Sequence, residues 1–151
     1  MVKSVYDKPS ILTRIAVGKG LGLLIGLAGF VVLPMLWPDV DPLFRWGILL
    51  WYTTFGAVVG VFGVLSYNPV LMLPMPWWVR APIIGGWMNF VLTFFAYDQM
   101  QAAIIAMLGV TMSPFWFTLE GAVVGAIIGG IATRLGGEGR RTAEIMLDDQ
   151  G

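Results

Sequence analysis

The sequence contains no cysteine and no histidine, and charged residues make up only 12% of its 151 residues. The missing residue types exclude disulfides, thiolate nucleophiles, imidazole catalysis and the usual zinc ligands. Nine basic residues balance nine acidic residues, so the chain has no broad basic field that would attract nucleic acid. We therefore expect a protein that is not an enzyme, that binds no cofactor or metal ion, and that has no nucleic-acid partner.

The chain is instead rich in apolar sequence: 58% of its residues are hydrophobic, and the 12% that are charged compare with about 25% in a soluble domain. Its apolar stretches are long enough for helices to cross a hydrocarbon layer about 30 Å thick. We predict an all-α integral membrane protein that forms a single transmembrane domain over residues 1–151, and we interpret its location as a bacterial inner membrane. The expected partners are the lipid bilayer and other membrane proteins or copies of itself.

Residues that begin or end helices divide the apolar sequence into four stretches. Ser10 precedes the first stretch, Pro42 and Pro82 open the second and third, and Ser113 with Pro114 opens the fourth. These signals predict a four-helix bundle made of two helical hairpins. The predicted spans cover residues 11–36, 43–65, 82–97 and 114–135, with interfacial segments at residues 67–80 and 99–110 and a polar tail at residues 136–151.

The end of the third stretch is open to two interpretations. The run Asp98-Gln99-Met100-Gln101 interrupts it, and apolar residues then resume from Ala102 to Val110. Either one long tilted helix continues to Gly109, or the span ends near Tyr97 and a short interfacial helix follows. The polar interruption favours the second interpretation.

Basic residues segregate to one side of this arrangement. Arg45 is the one basic residue expected on the outer side, where the acidic Asp39, Asp41 and Asp98 also lie. The positive-inside rule then predicts that both termini are cytoplasmic. The eight basic residues expected on the cytoplasmic side are Lys3, Lys8, Arg14, Lys19, Arg80, Arg134, Arg140 and Arg141.

The second and fourth stretches resemble each other. Residues Trp51–Gly60 align with Trp116–Gly125 with seven identities in ten. This favours a duplicated hairpin whose halves run parallel and are related by a pseudo-two-fold axis along the membrane normal. The alternative is chance, because Gly, Ala and Val recur in many membrane helices and the first and third stretches show no clear alignment.

Glycines spaced by four residues form stripes that let helix backbones approach closely, which is how helices associate in lipid. For any single stripe, packing within the chain is the better interpretation. With three stripes available we also expect an oligomer or a larger complex, and the fourth span is the first candidate for that contact. The stripes are Gly18, Gly22 and Gly26, then Gly56 and Gly60, then Gly121, Gly125 and Gly129.

Charges within spans are candidates for function because a buried charge is costly unless it pairs or reaches the interface. Glu120 lies six residues after Pro114 and therefore about 9 Å into its helix. Arg45 enters from the same outer side. Our hypothesis is that Arg45 pairs with Glu120 or, failing that, with Asp98.

Other polar residues in the spans have more ordinary interpretations. Asn89 and Thr93 share a helix face and can supply interhelical hydrogen bonds or line a narrow polar path, and the first use is the commoner. Lys19 shares a stripe with Gly22 and Gly26 but lies close enough to the inner surface to extend toward it. The residues expected to anchor the helices at the interface are Arg14, Lys19, Trp77, Trp78, Arg80 and Arg134.

Two functional classes fit these features. The first, which the scarcity of polar residues in the spans favours, is an accessory, scaffold or assembly subunit of a larger membrane complex or homo-oligomer. The alternative is a small oligomeric transporter or channel for an ion or small solute. Such a route would use Glu120, Arg45 and Asp98, together with Asn89 and Thr93.

Overall fold

The computed structural model describes residues 10–139, which form five α-helices and one small β-hairpin. A single 3₁₀ turn, Phe62–Val64, extends the second helix, and another, Pro114–Trp116, precedes the fifth. The predictions for Lys3, Lys8, Arg140 and Arg141 and for the last part of the polar tail lie outside the described residues. The helices are α1 (Ile11–Leu36), α2 (Pro42–Val61), α3 (Trp77–Phe95), α4 (Tyr97–Leu108) and α5 (Phe117–Gly136).

Side chains cap the starts of α1 and α2: Ser10 is the helix start expected from the sequence, and Asp41 is a further cap beside Pro42. The Ser10 hydroxyl accepts a hydrogen bond from the backbone N–H of Thr13, and the Asp41 carboxylate accepts one from Leu43 at 2.8 Å. These bonds satisfy donors that have no partner in the first turn of a helix. The helix over Ile11–Leu36 has the bounds expected from the sequence.

The chain is mostly helical, as predicted, and three helical segments are long and apolar enough to cross a membrane. The fourth candidate is a bent pair, because α3 and α4 meet at an angle of 103° across Ala96. The interpretation in which one long helix continues to Gly109 is therefore wrong. The three segments are Ile11–Leu36, Pro42–Val64 and Pro114–Gly136.

The third helix begins earlier than the sequence suggested. It starts at Trp77, directly after Pro76, so Pro82 lies inside it and not at its first turn. Proline at this position removes the N–H that would bond to the carbonyl of Trp78. The helix loses this one bond near its N-terminal end. Residues 77–80, expected in an irregular interfacial segment, belong to the helix.

The rest of that expected segment is a β-hairpin. Strand β1 (Tyr67–Asn68) pairs antiparallel with strand β2 (Leu73–Pro74), with Asn68 opposite Leu73. The Asn68 side chain accepts hydrogen bonds from the backbone N–H groups of Val70 and Leu71, at 2.9 and 3.1 Å, and so closes the turn. The hairpin links the end of α2 to the start of α3.

Glycine faces hold the helices together in two pairs. In the α1–α2 pair, a Cβ added to Gly56 would overlap the carbonyl oxygen of Gly18. In the α3–α5 pair, a Cβ added to Gly121 would overlap backbone or side-chain atoms of Gly85 and Asn89. All three predicted stripes face a helix of the same chain. The suggestion that the stripe of the fourth span faces another copy is wrong, because its residues Gly121, Gly125 and Gly129 all contact α3.

The two pairs pack in the same register. The nearest backbone oxygen to a Cβ on Gly60 belongs to Arg14, and the nearest to a Cβ on Gly125 belongs to Ala81. The oxygen nearest Gly56 belongs to Gly18, and that nearest Gly121 belongs to Gly85. Equivalent positions in α2 and α5 therefore differ by 65 residues, which is also the offset between the two similar sequences. Equivalent positions in α1 and α3 differ by 67 residues.

The apolar core lies between these pairs. Phe55 and Val59 of α2, Ala81 of α3 and Ile128 of α5 form one buried cluster. Partly buried residues of α1, α3 and α5 pack around it. They are Leu21, Ile25, Ile84, Met88 and Val124.

Candidate polar site at Glu120

Glu120, in the first turn of α5, is held by side chains from two other helices. The Tyr52 hydroxyl of α2 lies 2.9 Å from one carboxylate oxygen and 2.8 Å from the other, and it donates its single proton to this pair. The amide nitrogen of Asn89 in α3 donates to the carboxylate at 2.6 Å. One carboxylate therefore joins α2, α3 and α5 through charge-assisted hydrogen bonds.

Asn89 is the centre of this network and is fully buried. Its amide oxygen accepts a hydrogen bond from the indole N–H of Trp51 at 3.0 Å, and its amide nitrogen also donates to the carbonyl of Phe117 at 3.1 Å. The Thr93 hydroxyl donates to the Asn89 carbonyl oxygen one helical turn earlier, at 2.8 Å. Asn89 and Thr93 thus act as interhelical and intrahelical hydrogen-bonding groups within a common cluster. We call Trp51, Tyr52, Asn89, Thr93 and Glu120 the polar cluster.

Close helix packing explains why these side chains meet. Asn89 lies against Gly121, where an added Cβ would come within 2.7 Å of the Asn89 Cβ. In the equivalent α1–α2 pair, the position of Asn89 is taken by Gly22, which packs against the carbonyl of Tyr52. The α3–α5 pair therefore carries Asn89 and Glu120 of the polar cluster at the positions where the α1–α2 pair has Gly22 and Phe55.

A cavity of about 240 Å³ has Glu120 on its wall. It lies between α4 and the start of α5, and Glu120 is the only ionisable residue on its wall. The wall is otherwise apolar, aromatic or thioether, so an ammonium or other cationic group entering the cavity would find one anionic partner. The remaining lining residues are Ile104, Met107, Leu108, Met112, Trp116 and Phe117.

Two further cavities adjoin the polar cluster. One of about 140 Å³ has Tyr52 on its wall and shares Met107 and Phe117 with the cavity beside Glu120. The other, of about 380 Å³, carries Asp41 and Gln99 and reaches Trp51. The cluster thus has space on three sides, all at the end of the bundle where α4 lies.

A larger groove of about 670 Å³ lies away from the cluster, between the outer faces of α3 and α5. Aromatic residues including Trp87 and Phe90 line it, and it contains no charged side chain. The Thr118 hydroxyl on its wall is the one buried side-chain group without a hydrogen-bond partner in residues 10–139. Because this groove carries no ionisable group, we place the candidate site at Glu120.

The expected pairing of Arg45 is wrong. Its Nε and Nη2 donate to the carbonyl oxygen of Phe30 at 3.2 and 3.0 Å, and its guanidinium carbon lies 4.3 Å from the centroid of the Phe30 ring. Asp98 is exposed in the first turn of α4. Over the part of the chain that the structure describes, the one ion pair is Arg80–Glu138. Arg45 and Asp98 are therefore not members of the polar cluster.

Arg14 is not the interfacial anchor that we expected. It is 1% exposed, and it donates to the carbonyl of Gly60 at 3.1 Å, to the Thr133 hydroxyl at 3.0 Å and to the carbonyl of Gly137. It thereby satisfies groups near the C-terminal ends of α2 and α5, where helices present unpaired carbonyls and partial negative charge.

Arg80 plays a similar part in the adjoining segment. It is also buried, and it donates to the carbonyls of Leu65 and Met75 at 2.7 and 2.6 Å and to Glu138 at 3.0 Å. Arg14 and Arg80 thus tie together the ends of α2, α3 and α5, which we call the arginine end of the bundle. Their charges are used within the protein and not at its surface.

The other expected anchors divide into two groups. Lys19, Trp78 and Arg134 are exposed, which suits an anchor, but Lys19 does not face the neighbouring helix as the stripe predicted. Trp77 is half-buried and packs its ring over Gly130 of α5. The sequence periodicity placed Lys19 with Gly22 and Gly26, whereas the contact face of α1 follows the four-residue spacing through Gly18.

Sequence reasoning missed Trp51 and Tyr52 as members of the polar cluster. The repeat contained the signal, because Tyr52 aligns with Phe117 and Glu120 aligns with Phe55. These two exchanges of a polar for an apolar side chain lie in the cluster, and only the Glu120 exchange was noted from the sequence. Trp51 aligns with the identical Trp116, so the repeat gave no signal for it.

The polar cluster offers one carboxylate, an amide and two hydroxyls. Residues 10–139 contain no group of three or more acidic, His or Cys side chains placed to hold a metal ion. The arrangement suits a proton or an organic cation that needs a single anionic partner. Comparisons with protein-family models, with curated proteins and with solved structures found no match to the chain.

Proposed function

We propose that the chain is a four-crossing integral membrane protein, with α1, α2, α3 and α5 as its crossings and both termini in the cytoplasm. The arginine end would face the cytoplasm, which agrees with the eight basic residues assigned to that side, and α4 would lie along the outer surface. Helical crossings suit an inner membrane of a bacterium. The equivalent register of the two helix pairs supports a parallel duplication of one helical hairpin.

We propose further that this protein is a small transporter or channel in which Glu120 binds the transported proton or cation. The observation that carries this proposal is the position of Glu120 as the single ionisable group on the wall of an apolar cavity, held there by Tyr52 and Asn89. A carboxylate within a membrane is costly and usually serves a function. Arg45 and Asp98, earlier candidates for the route, have no part in it.

The glycine stripes favour this function over a scaffold. A scaffold that associates through small residues would need a stripe facing outward, and all three stripes pack against helices of the same chain. The oligomer remains part of the proposal for transport, with its contacts on other surfaces.

An accessory or assembly subunit is the second candidate, and one observation favours it. The tip of the β-hairpin is apolar and unusually exposed, with Val70 at 86% and Met72 at 76% of their full exposure. Such a tip at the membrane surface would suit contact with lipid or with a larger partner. Co-purification from native membranes tests this candidate, since a large stoichiometric partner would support it and weaken the transport proposal.

Flux measurements in vesicles test the transport proposal directly. The purified protein is reconstituted and the movement of protons and of small monovalent cations is followed with entrapped indicators. Glu120→Gln keeps the size of the side chain and removes its negative charge, and we expect it to abolish the flux. Asp98→Asn removes an exposed carboxylate and is the matched control, which should retain the flux. Flux that is equal in Glu120→Gln and the original protein would exclude this function.

A further inference from the structure

The cavity beside Glu120 has a chemistry that selects its ligand. We propose that it binds a small organic ammonium ion with an apolar body, such as a protonated arylalkylamine. This inference rests on the proposed function, because it assigns a ligand class to the same carboxylate. Its evidence is the number of free acceptor positions on Glu120, the lining of the cavity and the volume that the lining encloses.

The carboxylate has capacity for a further donor. Two carboxylate oxygens offer about four acceptor positions. The Tyr52 hydroxyl supplies one proton, shared between the two oxygens, and the Asn89 amide supplies one more. About two positions therefore remain. No basic side chain occupies them, since the one ion pair within residues 10–139 joins Arg80 to Glu138.

The other residues of the cavity wall suit a cation with an apolar body. Trp116 and Phe117 place aromatic rings on the cavity, and aromatic faces attract ammonium groups, most strongly in the case of tryptophan. Met107 and Met112 supply flexible thioether chains that adapt to ligands of irregular shape. A strongly hydrated inorganic cation would gain little from these groups.

The composition of the wall also excludes a divalent metal ion as the preferred ligand. Calcium and magnesium take six or more oxygen ligands, and the cavity offers a single carboxylate. Its volume of about 240 Å³ is about eight times the space that one water molecule occupies. This is below the range of drug-sized pockets, about 300 to 1,000 Å³, so the ligand is a single ring with a short chain or a molecule of similar size.

Exposure of the lining residues shows where such a ligand enters. Ile104 is buried at the base of the cavity, whereas Met107, Leu108, Met112 and Trp116 are exposed. The mouth therefore lies between the end of α4, the following loop and the 3₁₀ turn that precedes α5. In the proposed topology this end lies at the outer membrane surface, where an amphipathic amine would place its charge near headgroups and its ring in lipid.

Titration calorimetry with the full-length protein in detergent tests the inference. The probes are 2-phenylethylammonium and its neutral analogue 2-phenylethanol. We expect the ammonium ion to bind at least about tenfold more tightly, because a hydrogen bond to a charged group contributes more than one between neutral groups. Glu120→Gln should remove this preference while Asp98→Asn retains it. Met107→Trp should fill the cavity and abolish binding with Glu120 intact.

Each outcome bears on the inference. Equal binding of the two probes, or a preference that survives Glu120→Gln in a variant of unchanged helicity, would overturn it. Binding that survives Met107→Trp would place the ligand elsewhere and would also overturn it. Proton flux that depends on Glu120, in a protein that binds neither probe, would refute the ligand class and leave the proposed function standing. Selective binding of the ammonium probe in a protein that shows no flux would refute the proposed function and leave the ligand class standing.

Discussion

Arg45 donates two hydrogen bonds to the carbonyl oxygen of Phe30, the acceptor that Pro34 leaves without a helical partner. Residue 34 lies inside α1, and a proline there has no N–H to bond to the carbonyl four residues earlier. The Arg45 guanidinium from α2 takes the place of that N–H, at 3.2 and 3.0 Å, and stacks on the Phe30 ring. The one basic residue assigned to the outer side thus supplies a donor for the carbonyl that Pro34 leaves unbonded in α1.

This relationship predicts a coupling between Arg45 and Pro34. Arg45→Met should lower the free energy of unfolding by about 1–3 kcal/mol, because the Phe30 carbonyl is left without a partner. In a Pro34→Ala background the helix regains its own N–H, and the same substitution should cost less. Unfolding of the four variants in mixed micelles gives the coupling energy. Equal costs in both backgrounds would contradict this account of Arg45.

The arginine end predicts a difference between arginine and lysine. Arg14→Lys retains the charge but replaces a planar fork by a compact ammonium group, which cannot reach Gly60, Thr133 and Gly137 together. We expect a loss of thermal stability nearly as large as that of Arg14→Met. An anchor at the membrane surface would accept lysine readily, so full stability in Arg14→Lys would restore that interpretation. Arg134→Lys, at an exposed position, is the control.

Helix packing predicts opposite effects for two glycines of neighbouring helices. Gly56→Ala would drive a methyl group into the backbone of Gly18, and overpacking of this kind costs about 1–3 kcal/mol or more. A Cβ added to Gly20 would meet no atom within 4 Å beyond the adjoining backbone of its own helix, so Gly20→Ala should leave stability unchanged or raise it by up to about 1 kcal/mol. Thermal unfolding followed by circular dichroism measures both. Similar losses for the two variants would show that the stripe does not set the contact.

The polar cluster predicts unequal roles for its two α3 residues. Asn89→Ala removes partners from Trp51, Phe117 and Glu120 at once. With about 0.6–1.7 kcal/mol for each interhelical bond in a membrane protein, the loss should reach about 2–5 kcal/mol. Thr93→Val removes one bond to a carbonyl within the same helix and should cost less than about 1 kcal/mol. The indole of Trp51 should also change its emission in Asn89→Ala. A larger loss in Thr93→Val would contradict the central position of Asn89.

The proposed topology is testable because the chain has no cysteine of its own. Asp39→Cys places a single thiol in the exposed loop between α1 and α2, and Asp148→Cys places one near the C-terminus. A membrane-impermeant maleimide should label the first in intact cells and the second only after the membrane is opened. Labelling in the reverse order would invert the assignment of the arginine end to the cytoplasm.

Local signals in the sequence were sufficient to predict the helical class and several helix ends. Ser10, Pro42 and Ser113 mark helix starts because these signals depend on residues close in the chain. The start of α3 was misplaced because Pro76 and Pro82 both fit a helix start by local rules. The packing that places Pro82 inside the helix involves α5, which is distant in sequence.

The candidate site was predicted only in part, because some of its members follow from local sequence and others from packing between distant segments. Glu120 was identified from its depth in a helix, and Asn89 and Thr93 from their shared face. The partner of Arg45 was not predictable, because charge alone suggested a carboxylate while the structure offers a carbonyl exposed by Pro34. Likewise, the charge of Arg14 suggested a surface anchor. The side chain is buried because the C-terminal ends of α2 and α5 both offer it hydrogen-bond acceptors.

The two helix pairs have a further consequence for the surroundings of the protein. They share a packing register, yet Asn89 replaces the glycine found at position 22 and Glu120 replaces the phenylalanine at position 55. In the proposed topology, a molecule at the outer membrane surface therefore meets an acidic recess where α4 adjoins α5. The equivalent position in the α1–α2 pair is closed by the contact of Gly22 with the Tyr52 carbonyl and carries no charge.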